Sequence, residues 1–438
     1  MKTPNIFVLT ALLALTSGAG GLGQAQSVST TAAPTDPDPP AEAAVSFEEL
    51  PELSASEILK PEFLKGPHHS VRESVPTASG ANQFIIDSDF GVFDADGNEM
   101  LLRRIREVYA IAALKEVSRT DQFKESLTNA AKGTFNAAKS IVTDPRTTIS
   151  NVPKGVMKFM GRAGQSVKNM GKNKDDDGTN GTKLEKMVGF STAKRKIAVS
   201  MGVDPYSTNT VLQKQLDDIA WASWAGGFVF SAGTFPIGGP VGVALTVTTV
   251  GDSLNKIVQE KPPADLKQMN RASLRAMGVG ERDTERFLGN TAFSPTQQTA
   301  FVLNLKTLDG VTNRAGFVHA AAEESSNESD ALFCVETSEL MSRVHTDKKP
   351  IVHIVMIENF PICVAKDGAI VLALQWDYAA WTTGAAALTA DVQKLAAQSG
   401  PDTPVLVELS GQVSSRLRQE LEGRAFTVED RVSEGPLK

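Results

Sequence analysis

Cysteine is nearly missing from this chain, with two in 438 residues, Cys334 and Cys363. That excludes a disulfide scaffold and a thiolate-rich metal site, both of which need more thiols. The pair can form one cross-link in an oxidising compartment or remain two buried thiols. Histidine is also scarce. His68, His69, His319, His345 and His353 show no zinc-site spacing. The chain has no GxxxxGK[ST] phosphate loop, no HExxH and no GxSxG. Neither a cofactor nor a metal is therefore expected. An overall basic excess is lacking as well: the formal net charge of −7 argues against nucleic-acid binding. The remaining composition, 41% hydrophobic and 22% charged, is that of globular protein.

What is present is unevenly distributed. Residues 1–25 have the three parts of a secretory signal: Lys2, the apolar run Ile6 to Leu15, and small residues at Gly23 and Ala25. The run is shorter than the ~20 residues of a membrane span. A periplasmic or secreted protein cleaved near Ala25 is expected. Residues 26–80 begin as a flexible Ser/Thr/Pro-rich tether and continue as an extended lead-in from about residue 46. A helical domain is expected over 81–345 and a small α/β unit over 346–438, so the fold class is α+β, mainly helical.

Within the helical domain, QFIID and FGVFD suggest strands on either side of Ser88–Asp89. The recurrence of Leu102, Ile105, Val108, Ile111 and Leu114 predicts a helix from Asn98 to about Val117. Further helices are expected at 121–141, 184–201, from Val211 with Ser207 or Thr208 as cap, and at 265–277, 281–288, 295–307 and 314–345, the last with a break. In the C-terminal unit, Asp367-Gly368 between PICVAK and AIVLAL is a hairpin signal. Strands are expected at 351–357, 405–409 and 425–428, with a helix at 411–422.

Two stretches stand out. Residues 132–196 hold fourteen basic against five acidic side chains, a local charge of +9 in an acidic protein. Val152 to Met170 reads there as an amphipathic helix carrying Lys154, Lys158, Arg162 and Lys168. Such a face suits an anionic membrane surface, at ~1 kcal/mol per basic residue, or an envelope protein. It equally suits a solvated face against the protein's own acidic surface. Residues 219–251 contain no charged side chain, and Gly and Pro near 233–242 divide them into two apolar arms. These arms read as buried central helices or as a hairpin that enters a bilayer.

Chemistry-bearing candidates are weaker. Gly251-Asp252-Ser253-Leu254 resembles the nucleophile block of GDSL esterases, but no histidine has Asp three positions before it to supply the base. A periplasmic hydrolase using Ser253 is the alternative to a non-enzymatic envelope protein. Asp87, Asp89, Asp94, Asp96, Asn98 and Glu99 offer oxygens for calcium without a calcium-loop spacing.

Six phrases carry a resemblance. They are EILKPEFLKGPHHSV (57–71), SDFGVF (88–93), RIREVYAIAALKEVS (104–118), GVDPYSTNTVLQKQLDDIAWASWAG (202–226), NRASLRAMGV (270–279) and FSPTQQT (293–299). Together they resemble a family of exported bacterial proteins with no assigned activity. The resemblance implies a Gram-negative source and assigns no residue a role.

Overall fold

The computed structural model describes residues 47–135, 179–230, 251–433 and 435–438. The signal segment 1–25, the tether to residue 46 and the amphipathic helix expected at 152–170 lie outside the described residues. So do Lys154, Lys158, Arg162 and Lys168, and residues 231–250 of the uncharged stretch. The described chain is mixed α+β and mainly helical.

The lead-in folds onto the body. It forms β1 (Glu52–Ser54), the single turns α1 (Ala55–Ile58) and α2 (Pro61–Leu64), then β2 (Lys65–Gly66), β3 (His69–Val71) and β4 (Ser74–Ala78). With β5 (Ala81–Ser88) and β6 (Gly91–Asp96) these make a six-stranded antiparallel sheet. Ser79 and Gly80 join β4 to β5 with φ of 51° and 86°, the two positive values of a tight hairpin. Gly80 is required for a second reason: a Cβ there would sit 2.6 Å from the Trp376 ring.

Helix α3 (Asn98–Arg119) is buried along its whole length because its apolar residues serve two cores. Its first half, from Met100 to Tyr109, packs with Phe84 and Ile86 of the sheet. Its second half, from Ala110 to Val117, packs with α4 (Asp121–Phe135), α5 (Thr179–Ser200) and α6 (Thr210–Gly226). Each such Leu or Ile contributes roughly 1.5–3 kcal/mol by leaving water. The cap of α6 is Asn209, whose side chain accepts from the Val211 and Leu212 amides. The expected caps Ser207 and Thr208 are engaged elsewhere, on Glu107 and Glu328.

A second set of helices follows: α7 (Gly251–Glu260), α8 (Pro263–Ala276), α9 (Glu281–Gly289), α10 (Pro295–Thr307), α11 (Arg314–Glu324) and α12 (Glu328–Arg343). The break between α11 and α12 falls where Asn327 starts a capping box with Asp330. A π turn over Val344–Lys348 ends α12.

The C-terminal sheet has the order β13 (Phe426–Glu429), β11 (Val405–Leu409), β9 (Ile370–Leu374), β8 (Phe360–Ala365), β7 (Ile351–Ile357). Strands β7, β8 and β9 are antiparallel, the last two joined at Asp367-Gly368 as expected. From β9 the chain passes β10 (Tyr378–Ala379) and α13 (Thr383–Ser399) to β11. It then passes β12 (Gln412–Val413) and α14 (Ser415–Glu422) to β13. Strands β9, β11 and β13 are parallel. Helix α13 has no counterpart in the sequence reading. Helix α14 starts four residues later than expected, because Gln412–Val413 pairs with β10. A Cβ on Gly411 would lie 2.1 Å from the Asp377 backbone.

All of β9 is buried. Ile370, Leu372 and Leu374 face the core shared with α13 and α14, whereas Val371 and Ala373 face the core built by α8–α12. Alternation along one strand therefore joins the sheet to the helical body. Cys334 and Cys363 lie in that second core as free thiols, which corrects the disulfide reading. Burial pushes both thiols up to about 12. Cys334 Sγ is 3.6 Å from Ser325 Oγ, a thiol–hydroxyl contact in place of a cross-link.

Candidate functional site

Most candidates from the sequence are satisfied locally. Ser253 is exposed in the first turn of α7, and among the described residues no histidine hydrogen-bonds to it. His68 Nδ1 is 2.8 Å from Asp89, His319 Nδ1 is 3.1 Å from Asp283, and His353 Nδ1 is 2.6 Å from Thr312 Oγ1. Buried His69 donates from Nε2 to the Phe63 carbonyl at 3.2 Å, and burial holds its pKa below the usual value. The acidic cluster of 87–99 is dispersed by strand alternation: Asp87 pairs with Arg72 at 2.8 Å, while Asp96 and Glu99 turn toward a cleft. Among the described residues no group of three His, Cys, Asp or Glu is placed to hold a metal ion.

Three of the six phrases that carry the resemblance, 104–118, 202–226 and 293–299, meet in one hydrogen-bonded hub. Glu107 of α3 accepts from Arg104 at 2.9 Å, from Asn209 Nδ2 at 2.9 Å and from Ser207 Oγ. Arg104 also reaches Thr208 at 2.9 Å and Glu328 at 3.1 Å. Asp204 of the same turn accepts from Thr296 at 2.7 Å and Ser294 at 3.0 Å, at the capped start of α10. Each charge meets a donor or a counter-charge. The arrangement does structural work, fixing the 202–209 turn against three helices.

A different arrangement lies where the N-terminal sheet, α3, α12 and the segment after β9 meet. Here an open cleft of about 320 Å³ is bordered by Asp96, Glu99, Glu336 and Asp377. Asp377 is 4% exposed, and its Oδ2 accepts from the backbone amides of Asn82 at 3.0 Å and Asn98 at 2.9 Å. It thereby caps α3 from 279 residues away and pins the β4–β5 hairpin, whose Gly80 carbonyl accepts from the Asp377 amide at 2.7 Å. Burial pushes the Asp377 carboxyl up to about 7 against the pull of those two donors.

Glu99 in the first turn of α3 faces Glu336 of α12 across this cleft. Burial, reinforced by the Glu336 charge, pushes Glu99 up to about 8. Glu339, one turn further along α12, is also pushed up to about 8 by burial and by Glu336. The nearest hydrogen-bonded cation is Arg103, 3.4 Å from Glu336. Apolar lining comes from Phe333, Phe360 and Trp376, with ring centroids 6.4 and 5.7 Å apart in edge-to-face pairs. No sequence motif marks this cleft, because its acids are 281 positions apart at the extremes and meet only through the fold.

The helical layer α4–α7 is the third candidate region. Helix α6 packs on α4 and α5, and α5 on α7. Trp221 and Trp224 are half-buried on α6, their centroids 5.4 Å apart. Val188 and Val229 nearby are 59% and 76% exposed. Among the described residues no helix is long and apolar enough to cross a membrane.

Comparison with protein families, curated proteins and solved structures finds no match to the chain.

Proposed function

We propose that this chain is an exported, non-enzymatic envelope protein that docks on an anionic membrane surface or an acidic envelope partner. The observation that carries this reading is the shared origin of the two unusual stretches. The basic residues of 136–178 connect α4 to α5, and the uncharged residues 231–250 connect α6 to α7. All four helices belong to one layer. Both stretches leave and rejoin that one layer along the chain, and the layer itself carries Trp221, Trp224, Val188 and Val229. Tryptophan suits such a boundary because its ring is apolar at one end and donates a hydrogen bond at the other. In this reading residues 346–438 are a small α/β unit that supports the helical body.

Flotation of the purified protein with anionic vesicles tests the proposal. The protein is expected to float at low salt and to be released at high salt, because exposed charges are screened beyond ~10 Å at 0.1 M. A variant carrying Lys154→Gln, Lys158→Gln, Arg162→Gln and Lys168→Gln should remain unbound. Undiminished flotation of that variant refutes the role of the basic segment. Failure of the wild type to float refutes docking on lipid and leaves the protein partner.

A further inference from the structure

The cleft between α3, α12 and the 375–382 segment carries an inference independent of the helical layer. Its charge is one-sided: four carboxyl groups border it, and among the described residues its lining contains no Lys, Arg or His. Asp377 lines it while nearly fully buried, with Oδ2 spent on two amides and no hydrogen bond at Oδ1 among the described residues. Oδ1 opens to the cleft rather than being sealed in the interior, and it can accept an incoming N–H. Phe333, Phe360 and Trp376 offer apolar area and ring faces that attract a cation within ~6 Å. The volume lies at the lower end of the ~300–1,000 Å³ typical of small-molecule sites.

We infer that this cleft binds a small protonated amine carried on an apolar body. An anion would meet four acids, with Arg103 already engaged on Glu336. A neutral apolar ligand would desolvate their oxygens and give nothing in return. A hard cation would need oxygens converging from several sides, and no such metal-holding group occurs among the described residues. An amine satisfies both halves of the lining, its N–H groups donating to the acids while its body covers the rings.

The fold also predicts a proton count. Glu99 is faced by Glu336 and, more distantly, Glu339 from α12, by Asp377 from the segment after β9, by Arg103 and Arg106 from its own helix, and across an adjoining cavity by Lys60, Arg431 and Lys438. An ammonium placed among them favours ionised Glu99. Binding near neutral pH should therefore release a proton from the cleft to the buffer.

Isothermal titration of the full chain tests this with 2-phenylethylamine and hexylamine, using 3-phenylpropanoate as a control of similar shape and opposite charge. Both amines are expected to bind and the control to give no heat. The amine heats should differ between phosphate and Tris at pH 7, as released protons are taken up by buffers of different ionisation heat. Glu99→Gln, which keeps the side-chain shape, should weaken amine binding about tenfold and remove the buffer dependence. Glu336→Gln should weaken binding as well, with melting curves verifying that both variants fold. Silence with both amines at millimolar concentration overturns the inference. So does equal binding of the carboxylate control, or unchanged affinity in both folded variants.

Discussion

Two acid-bearing regions of this molecule sit on the same helix and are built on opposite principles. Around Glu107, in the middle of α3, Arg104, Ser207 and Asn209 supply a counter-charge and two neutral donors to a single carboxylate. In the first turn of the same helix, Glu99 faces Glu336 and Glu339; Arg103 hydrogen-bonds to Glu336, while Arg106 and Arg343 act at longer range. A low-dielectric interior strengthens both the attraction and the repulsion. The first region therefore tightens the fold, and the second raises its energy unless protons or a cation enter. On this argument the cluster around Glu99 is the place for a ligand, since a purely structural site gains nothing from like charges set together.

The largest expected effect lies on the structural side. Glu107→Ala leaves Arg104, whose side chain is 12% exposed, without its closest counter-charge and strips two donors of their acceptor. Denaturant unfolding should show a loss of about 3 kcal/mol, the range for breaking a buried pair. A loss below 1 kcal/mol would erase the contrast between the regions.

Asp377→Ala comes next. It removes the distant cap of α3 and the link to the β4–β5 hairpin, for an expected cost of about 2 kcal/mol. Asp377→Asn should cost less, because its amide oxygen still accepts from the Asn82 and Asn98 amides. Equal losses for the two substitutions would show that charge, not the acceptor, holds the junction together.

The smallest effect has the opposite sign. Glu339 and Glu99 have folded-state pKa values raised to about 8 from an ordinary 4.5, so between those values the folded protein holds more protons than the unfolded one. Stability contributed by these groups is thus present at low pH and is lost as pH rises through that window. Glu339→Gln does not titrate. It should match the wild type near pH 4 and exceed it at pH 8. Thermal melts across this range check the prediction, and a variant less stable than wild type at pH 8 would place Glu339 among the structural acids.

Much of the element order was legible in the sequence. The three-residue recurrence from Leu102 to Leu114, the Asp367-Gly368 turn and the Ser294-Pro295 start of α10 each act over a few residues, so local pattern sufficed. Where the reading slipped, a distant partner had taken over. Ser207 and Thr208 have the chemistry of caps, yet Glu107 and Glu328 claim their hydroxyls and Asn209 caps instead. Cys334 and Cys363 share a core without bonding.

By itself the sequence determined the periodicities, the turns and the placing of basic and uncharged stretches, all properties of neighbours along the chain. Only the tertiary structure decided that Asp377 would cap α3, that β9 would be buried on both faces, and that Glu99, Glu336 and Asp377 would border one cleft. Burial and electrostatic coupling depend on distance in space, and residues some 280 positions apart have no separation until the chain folds.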